Sequence, residues 1–265
     1  MSGHIAPFHF TDAVVRRPAK SVTAGLRAID HGAPTYQGVA AEHDAYVAAL
    51  RAAGVEVTVL PALEQFPDSI FVEDPALVFA EGAILMRPGT PSRLDEVREI
   101  APTLHDMFEV VLELPSPGCA EGGDILTTSK AVMIGMSDRT DLNGAKGLQS
   151  CLEKFGRESR IVETPPGVLH FKTDCSMLDE ETILTTKRLA ASGVFDEFET
   201  VFIPDGEEAA ANALRVNDVV MVGSDFPRTI ELLDKSGYEV VPLATSQIGK
   251  IDAGLSCMSL RWRRV

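Results

Sequence analysis

The chain has 265 residues, 45% of them hydrophobic, which supplies apolar material for one large or two ordinary domains without a disulfide staple. Its 24 Lys and Arg against 39 Asp and Glu give a formal net charge of -15, and the basic residues are scattered apart from the short run Arg261, Arg263 and Arg264. Phosphate backbones and anionic membranes are therefore poor partners, whereas a cationic small molecule suits the charge. Four cysteines without a Cys-x-x-Cys pair, no basic and apolar leader at Met1 to His4, and no apolar run near the ~18 residues of a membrane helix give the expectation of a soluble, cytoplasmic chain.

From the N-terminus, Tyr46, Leu50 and Ala53 recur at spacings of three and four, predicting a helix over Glu42 to Ala53 that Gly54 stops in a left-handed conformation. Strand patterns follow at Val55 to Leu60, Ser69 to Val72, Ala83 to Met86 and Glu109 to Leu114, with a helix from Ser92 to Met107. Further strands fall at Asp124 to Thr128 and Ala131 to Met136. Helices are predicted at Asn143 to Phe155, Ala190 to Phe198 and Pro227 to Ser236, and a last strand near Met258 to Trp262. In order, the segments repeat strand, tight turn, strand, helix, strand over Ser69 to Leu114, Gly123 to Thr164, Lys172 to Pro204 and Ala211 to Leu243. The leftover N-terminal helix and strand, with the C-terminal strand, make one further copy. That is roughly five α/β modules closed by joining the chain ends. An open α/β sheet fits the alternation too, but with no low-complexity linker one closed domain over 1–265 is preferred.

Several short strings carry chemistry. Cys257, in Gly254-Leu255-Ser256-Cys257-Met258-Ser259, sits beside a flexible turn at the mouth of a strand. Alone it reads more readily as a buried small hydrophobe than as a catalyst. His170 precedes Phe171-Lys172-Thr173-Asp174 and by itself is as well explained as a structural histidine. Glu121 lies in Cys119-Ala120-Glu121-Gly122-Gly123-Asp124, where paired glycines permit close backbone approach or simply a surface turn. The run Phe66 to Pro75 places Asp68, Glu73 and Asp74 around an apolar segment. Strand alternation turns Phe71 and Glu73 to one side and Ile70, Val72 and Asp74 to the other. Such carboxylates match a planar guanidinium, accepting paired hydrogen bonds, or serve as solvated edge-strand protection.

Together and in this order, Phe66 to Pro75, Glu121-Gly122-Gly123-Asp124, Leu169-His170-Phe171-Lys172 and Ser256-Cys257-Met258-Ser259 resemble the dimethylarginine dimethylaminohydrolase family of the amidinotransferase-like (pentein) superfamily. Similarity extends to Arg17-Pro18, Ser21 to Leu26, Ser137 to Thr140, Ala211-Asn212 and Phe226-Pro227-Arg228. The resemblance implies a pseudo-fivefold α/β propeller of ββαβ modules with the active site in the central channel. It implies a cysteine-dependent hydrolase converting methylated arginine to citrulline and an alkylamine, with Cys257 as nucleophile, His170 as acid and base and Glu121 as its carboxylate partner. No metal or cofactor is implied, and compact members are monomers or homodimers. Arg93 and Arg139 resemble a clamp for the substrate α-carboxylate, Asp68 the acceptor of the α-amino group, Phe71 an apolar wall and Leu26 part of a lid. Asp74 is placed on the guanidinium, and Glu73, Ile251 and Ser256 are further candidate substrate contacts. The glycine pair with Cys119, and the acidic stretch Asp174 to Glu181, depart from the family pattern and bear on substrate breadth. The same three catalytic residues would also serve an arginine deiminase or an amidinotransferase. A catalytically silent protein that binds arginine derivatives is the alternative of another class.

Overall fold

The computed structural model describes residues 6–28 and 30–264; Met1 to His4, on which the reading of the chain start rests, lie outside them. Strand β1 (Asp12–Arg16), helix α1 (Tyr36–Ala52) and strand β2 (Glu56–Leu60) come first. Four modules of two strands, a helix and a third strand follow. They are β3 (Ala76–Phe79), β4 (Gly82–Leu85), α2 (Glu96–Met107) and β5 (Val111–Glu113), then β6 (Ile125–Thr127), β7 (Val132–Met136), α3 (Leu142–Lys154) and β8 (Ser159–Glu163). The next two are β9 (Cys175–Met177), β10 (Thr182–Thr185), α4 (Lys187–Ala190) and β11 (Glu199–Phe202), then β12 (Leu214–Val216), β13 (Val219–Gly223), α5 (Pro227–Lys235) and β14 (Glu239–Leu243). The chain ends in β15 (Ser259–Trp262).

Each module forms its own three-stranded sheet. The first two strands form an antiparallel hairpin, as in the pairing of Ala76 with Leu85. The third lies parallel to the second, Ala83 beside Val111, because a parallel neighbour needs a crossover and the helix supplies it. The fifth sheet is built from both ends of the chain. There β15 takes the place of a first strand, antiparallel to β1 with Asp12 opposite Trp262, while β2 runs parallel to β1. The five sheets make the pseudo-fivefold α/β propeller that the family resemblance implies, and their number agrees with the repeat count.

The first strands of all five modules, β3, β6, β9, β12 and β15, line one chamber of ≈ 900 Å³, one part of the central channel. Apolar side chains gather in five clusters, and each cluster draws on two adjacent modules. Leu77, Phe79 and Ile84 pack with Ile125, Ile134 and Leu148, and Val14, Leu260 and Trp262 with Val78 and Ile100. The core thus lies in the seams, so an isolated module would expose half of two clusters, and closing the ring removes that exposed apolar area.

Local chemistry sets the element ends. The Thr35 side chain accepts the Gly38 N–H at the start of α1, and Gly54, at φ +87°, follows its end. Three expectations are corrected. Helix α1 begins six residues before Glu42, at Tyr36, where Thr35 caps it. The helix expected over Ala190 to Phe198 is instead the single turn α4, started by the Thr186 side chain on the Leu189 N–H and followed by turns around Gly193 at φ +76°. Ser69 to Val72 is a pair of tight turns rather than a strand. The Ser69 N–H bonds the Phe66 carbonyl at 3.1 Å and the Phe71 N–H the Asp68 carbonyl at 2.9 Å, and the module's first strand begins only after Pro75. Strand β1, without a counterpart in the sequence pattern, completes the fifth sheet.

Candidate active site

A second cavity, of ≈ 140 Å³, brings together residues from across the chain: Cys257, His170, Glu121, Asp74, Arg139 and the Leu26 segment. Cys257 stands in a short 3-10 turn, Ser256–Met258, that leads directly into β15. The turn is held from two sides: the Ser256 N–H donates to Asn212 Oδ1 at 3.1 Å, and the Glu73 N–H donates to the Cys257 carbonyl at 3.2 Å. His170 opens another 3-10 turn, and its backbone N–H donates to Thr173 Oγ1 at 3.2 Å. Buried Asp124 fastens that turn by accepting the Phe171 N–H at 2.9 Å, while Ser137 and Thr140 donate to its other oxygen at 2.7 Å and 2.6 Å.

Glu121 is fully buried, and its Oε2 lies 2.7 Å from His170 Nε2 while its Oε1 accepts the Gly89 N–H at 3.0 Å. The two glycines after it are required by space. A Cβ on Gly122 would lie 1.9 Å from the Glu73 carbonyl oxygen, and one on Gly123 would lie 2.7 Å from the His170 ring. These glycines therefore let the glutamate turn slide beneath the imidazole.

Burial alone would lower the His170 pKa. The hydrogen bond to Glu121 and the charges of Asp124, Asp74 and Glu121 overcome it and raise the imidazole to about 9. Burial, reinforced by the negative charges of Glu73 and Asp74, pushes the Cys257 thiol up to about 12. At neutral pH the resting cavity thus holds a thiol and an imidazolium. Burial works to raise the Asp74 carboxyl, but Arg93 and His170 outweigh it and hold it below the usual carboxylate range. Asp68 goes the other way, raised by burial despite Arg93 and the Leu26 N–H. One atom each of Asp74, Glu121 and His170 lie within 4.8 Å of one another, close enough to share a cation. Arg93 already occupies Asp74 and the imidazole occupies Glu121, so protein cations hold these carboxylates.

The family described as "N,N dimethylarginine dimethylhydrolase, eukaryotic" matches residues 31–159. The N(G),N(G)-dimethylarginine dimethylaminohydrolase of Pseudomonas aeruginosa is 38% identical over 254 residues, covering 96% of this chain and 100% of that protein. The chain belongs to the dimethylarginine dimethylaminohydrolase family. The Streptomyces coelicolor enzyme of the same name is 30% identical, with 96% of this chain and 97% of that one covered. A crystal structure of the Pseudomonas enzyme, a cysteine-to-serine mutant complexed with citrulline, superposes with a TM-score of 0.93 over 96% of this chain and 100% of that chain. The N-terminal domain of the arginine dihydrolase ArgZ shares the fold at TM-score 0.84 and 17% identity, covering 96% of this chain and 98% of that one.

Against this dimethylarginine dimethylaminohydrolase scaffold, the other expected site residues divide. Leu26, Asp68, Phe71, Asp74, Arg93, Arg139 and Ile251 all line the small cavity. The side chains of Glu73 and Ser256 do not. They turn into the axial chamber, where Ser256 Oγ donates to Glu73 Oε2 at 3.0 Å, and Lys172 Nζ and Arg261 Nη2 meet Glu73 Oε1 at 2.5 Å and 3.1 Å. The reason is the pair of turns over 66–71. A turn repeats near every third residue, so Asp68, Phe71 and Asp74 share a face, and Phe71 does not go with Glu73 as strand alternation had it. Adjacent residues facing opposite ways, Glu73 with Asp74 and Ser256 with Cys257, form the partition between the two chambers.

The two arginines also differ. Arg93 is buried and spends most of its donors on the protein: Nε and Nη2 on Glu96, Nη1 on Asp74 at 2.5 Å, and Nη2 on the Phe71 carbonyl at 3.0 Å. Among the described residues Arg139 has a single ion pair, 3.6 Å to Glu121. The segment expected as a lid is tied by carboxylates, the Leu26 N–H to Asp68 at 2.9 Å, the Ala28 N–H to Asp252, and the Lys20 and Ser21 N–H groups to Glu64 at 3.0 Å and 3.2 Å. Asp252, left-handed at φ 55°, and Leu169 line the cavity as well and carried no signal in the sequence beyond lying next to Ile251 and His170.

Proposed function

We propose that this chain hydrolyses a methylated arginine to citrulline and an alkylamine through a covalent intermediate on Cys257. The observation that carries the reading is the shared cavity in which a thiol, an imidazole bound to a buried glutamate, and the buried carboxylate of Asp74 meet. The relatives named for dimethylarginine, one of them complexed with citrulline, supply the substrate class.

A guanidinium entering the cavity brings a positive charge next to a thiol whose ionisation Glu73 and Asp74 oppose. The cation offsets that opposition, so substrate itself draws the thiol proton off to solvent and yields the thiolate where it is needed. The sulfur then attacks the central guanidinium carbon and forms a C–S bond. His170, protonated at neutral pH, gives its proton to the departing nitrogen as the C–N bond breaks, and the alkylamine leaves. The imidazole, now neutral, takes a proton from water, whose oxygen adds to the thiouronium carbon. The C–S bond breaks with its electron pair leaving on the sulfur, the added hydroxyl releases its proton to solvent, and the ureido product remains. Glu121 holds the imidazole throughout, and Asp74 accepts hydrogen bonds from the guanidinium.

The amino-acid end is read by charge. Arg139 pairs with the α-carboxylate, joined by the remaining Nη1 hydrogen of Arg93. Asp68 accepts from the α-amino group, Phe71 and Ile251 form apolar walls, and the Leu26 segment covers the bound ligand and excludes water. Because the first and last described strands pair, the chain works as one catalytic unit. Its four cysteines are all unpaired thiols, which suits the reducing cytoplasm.

The test is turnover of asymmetric dimethylarginine, monomethylarginine, arginine and agmatine, with mass spectrometry of a quenched reaction. Citrulline with dimethylamine, and an adduct on Cys257, are expected. Ammonia from arginine as the faster product would instead make the chain a deiminase, and binding without turnover would make it a sensor.

A further inference from the structure

We propose that Asn212 is a positioning residue for the thiolate of Cys257. The inference rests on Cys257 being the nucleophile and adds a residue from a different module to the machinery.

Asn212 ends a 3-10 turn, Glu208–Ala211, immediately before the strand β12 of the fourth module, whereas Cys257 belongs to the fifth. Both ends of its amide are committed. Oδ1 accepts the Ser256 N–H at 3.1 Å, which fixes the orientation of the amide plane, because an N–H can only face the oxygen. Nδ2 then points to Cys257 Sγ at 3.9 Å, within hydrogen-bond range for sulfur. The flat of the amide lies against the backbone at Gly254, where a Cβ would come within 2.3 Å of Asn212 Cγ. Gly254 matters in turn because its backbone N–H also favours the ionised sulfur. One side chain thus offers a donor to the sulfur, presses against the peptide that supplies another, and anchors the residue before the cysteine.

The neighbourhood explains the need. Glu73 and Asp74 oppose a negative sulfur, and Lys172 is a charged group that favours it. A neutral donor such as a carboxamide stabilises the thiolate without adding a cation that would repel the incoming guanidinium. Lysine or arginine at this position would do the first and spoil the second.

Asn212→Asp separates the two jobs. It keeps an oxygen for the Ser256 N–H but replaces the donor with a carboxylate beside the sulfur. Asn212→Ala removes both. The rate of iodoacetamide alkylation, read as labelled Cys257 by mass spectrometry, is followed against pH, alongside kcat and KM. The apparent thiol pKa is expected to rise in Asn212→Asp, with alkylation and kcat at neutral pH falling about tenfold for each unit. KM is expected to stay near the parent value. Asn212→Ala is expected to shift the same way by less, and should it fail to fold, the nearly isosteric aspartate variant carries the test. A parental alkylation profile in folded Asn212→Asp overturns the assignment, whether or not kcat falls. Cys257→Ser is the separate control: turnover surviving there removes the nucleophile itself, while a dead Cys257→Ser with a parental Asn212→Asp removes Asn212 alone.

Discussion

Replacing Glu121 with Gln tests how the buried carboxylate sets the proton inventory of the site. The Glu121 to His170 contact is 2.7 Å, the glutamate is fully buried, and the imidazole stands at about 9. A hydrogen bond between charged groups contributes about 1.5–3 kcal/mol, or about one to two pKa units, so the variant's imidazole should titrate near about 7 to 8. Burial continues to pull it down, while Asp124 and Asp74 still hold it up. The active form at the first step is the imidazolium, so kcat should be lost as pH rises through the folded-state pKa, near 9 in the parent and lower in the variant. The assay is kcat for dimethylarginine between pH 5 and 10, with His170 titrated independently by NMR. The same shift has a stability signature. A base raised from 6.5 to about 9 on folding contributes stability that is fully present below 6.5 and lost as pH rises through 9. That loss should shrink in the variant. A folded Glu121→Gln protein whose alkaline limb and imidazole titration both stay near pH 9 would refute the reasoning, since the carboxylate would then contribute nothing to the proton's retention.

Arg139→Ala should raise KM for dimethylarginine by about ten- to a hundredfold, the worth of one charged hydrogen-bonded contact, and leave the alkylation rate of Cys257 nearly unchanged; equal losses in both would contradict its role at the carboxylate end. Gly123→Ala should force the His170 ring from its place, lowering kcat at least tenfold and stability by about 1–3 kcal/mol as an overpacked site, measurable by steady-state kinetics and urea titration. His43 is buried with neither ring nitrogen hydrogen-bonded among the described residues, and burial lowers its pKa to about 4. The unfolded chain therefore binds the extra proton first, and stability should fall by about 3 kcal/mol between pH 6.5 and 4; urea midpoints against pH check this, and a His43→Leu protein with the same slope would exclude His43 as its source.

The repeated order of strand, turn, strand, helix and strand was legible because each module carries its own hydrophobic period, and the closing of the ring followed from leftover pieces at both ends. The residue types of the proposed catalytic set were equally local: Cys257 in Ser-Cys-Met-Ser, His170 before Phe-Lys-Thr, Glu121 before a glycine pair whose Cβ atoms would strike Glu73 and His170. Which way those residues face was a different matter. Glu73 and Asp74 are neighbours of the same chemistry, yet one pairs with Lys172 and Arg261 in the axial chamber and the other faces the thiol. Strand alternation did set Glu73 and Asp74 on opposite sides, but it put Phe71 with Glu73, whereas the turns over 66–71 bring Phe71 round to Asp74. Likewise Arg93 and Arg139 look alike in sequence, but Glu96, Asp74 and the Phe71 carbonyl take most donors of the first, while the second, among the described residues, has the 3.6 Å ion pair to Glu121 alone. Periodicity and composition act along the chain and so are written in it. Facing, donor commitment and the pKa values of His170 and Cys257 arise from contacts between modules far apart in sequence, and only the closed ring brings them within reach.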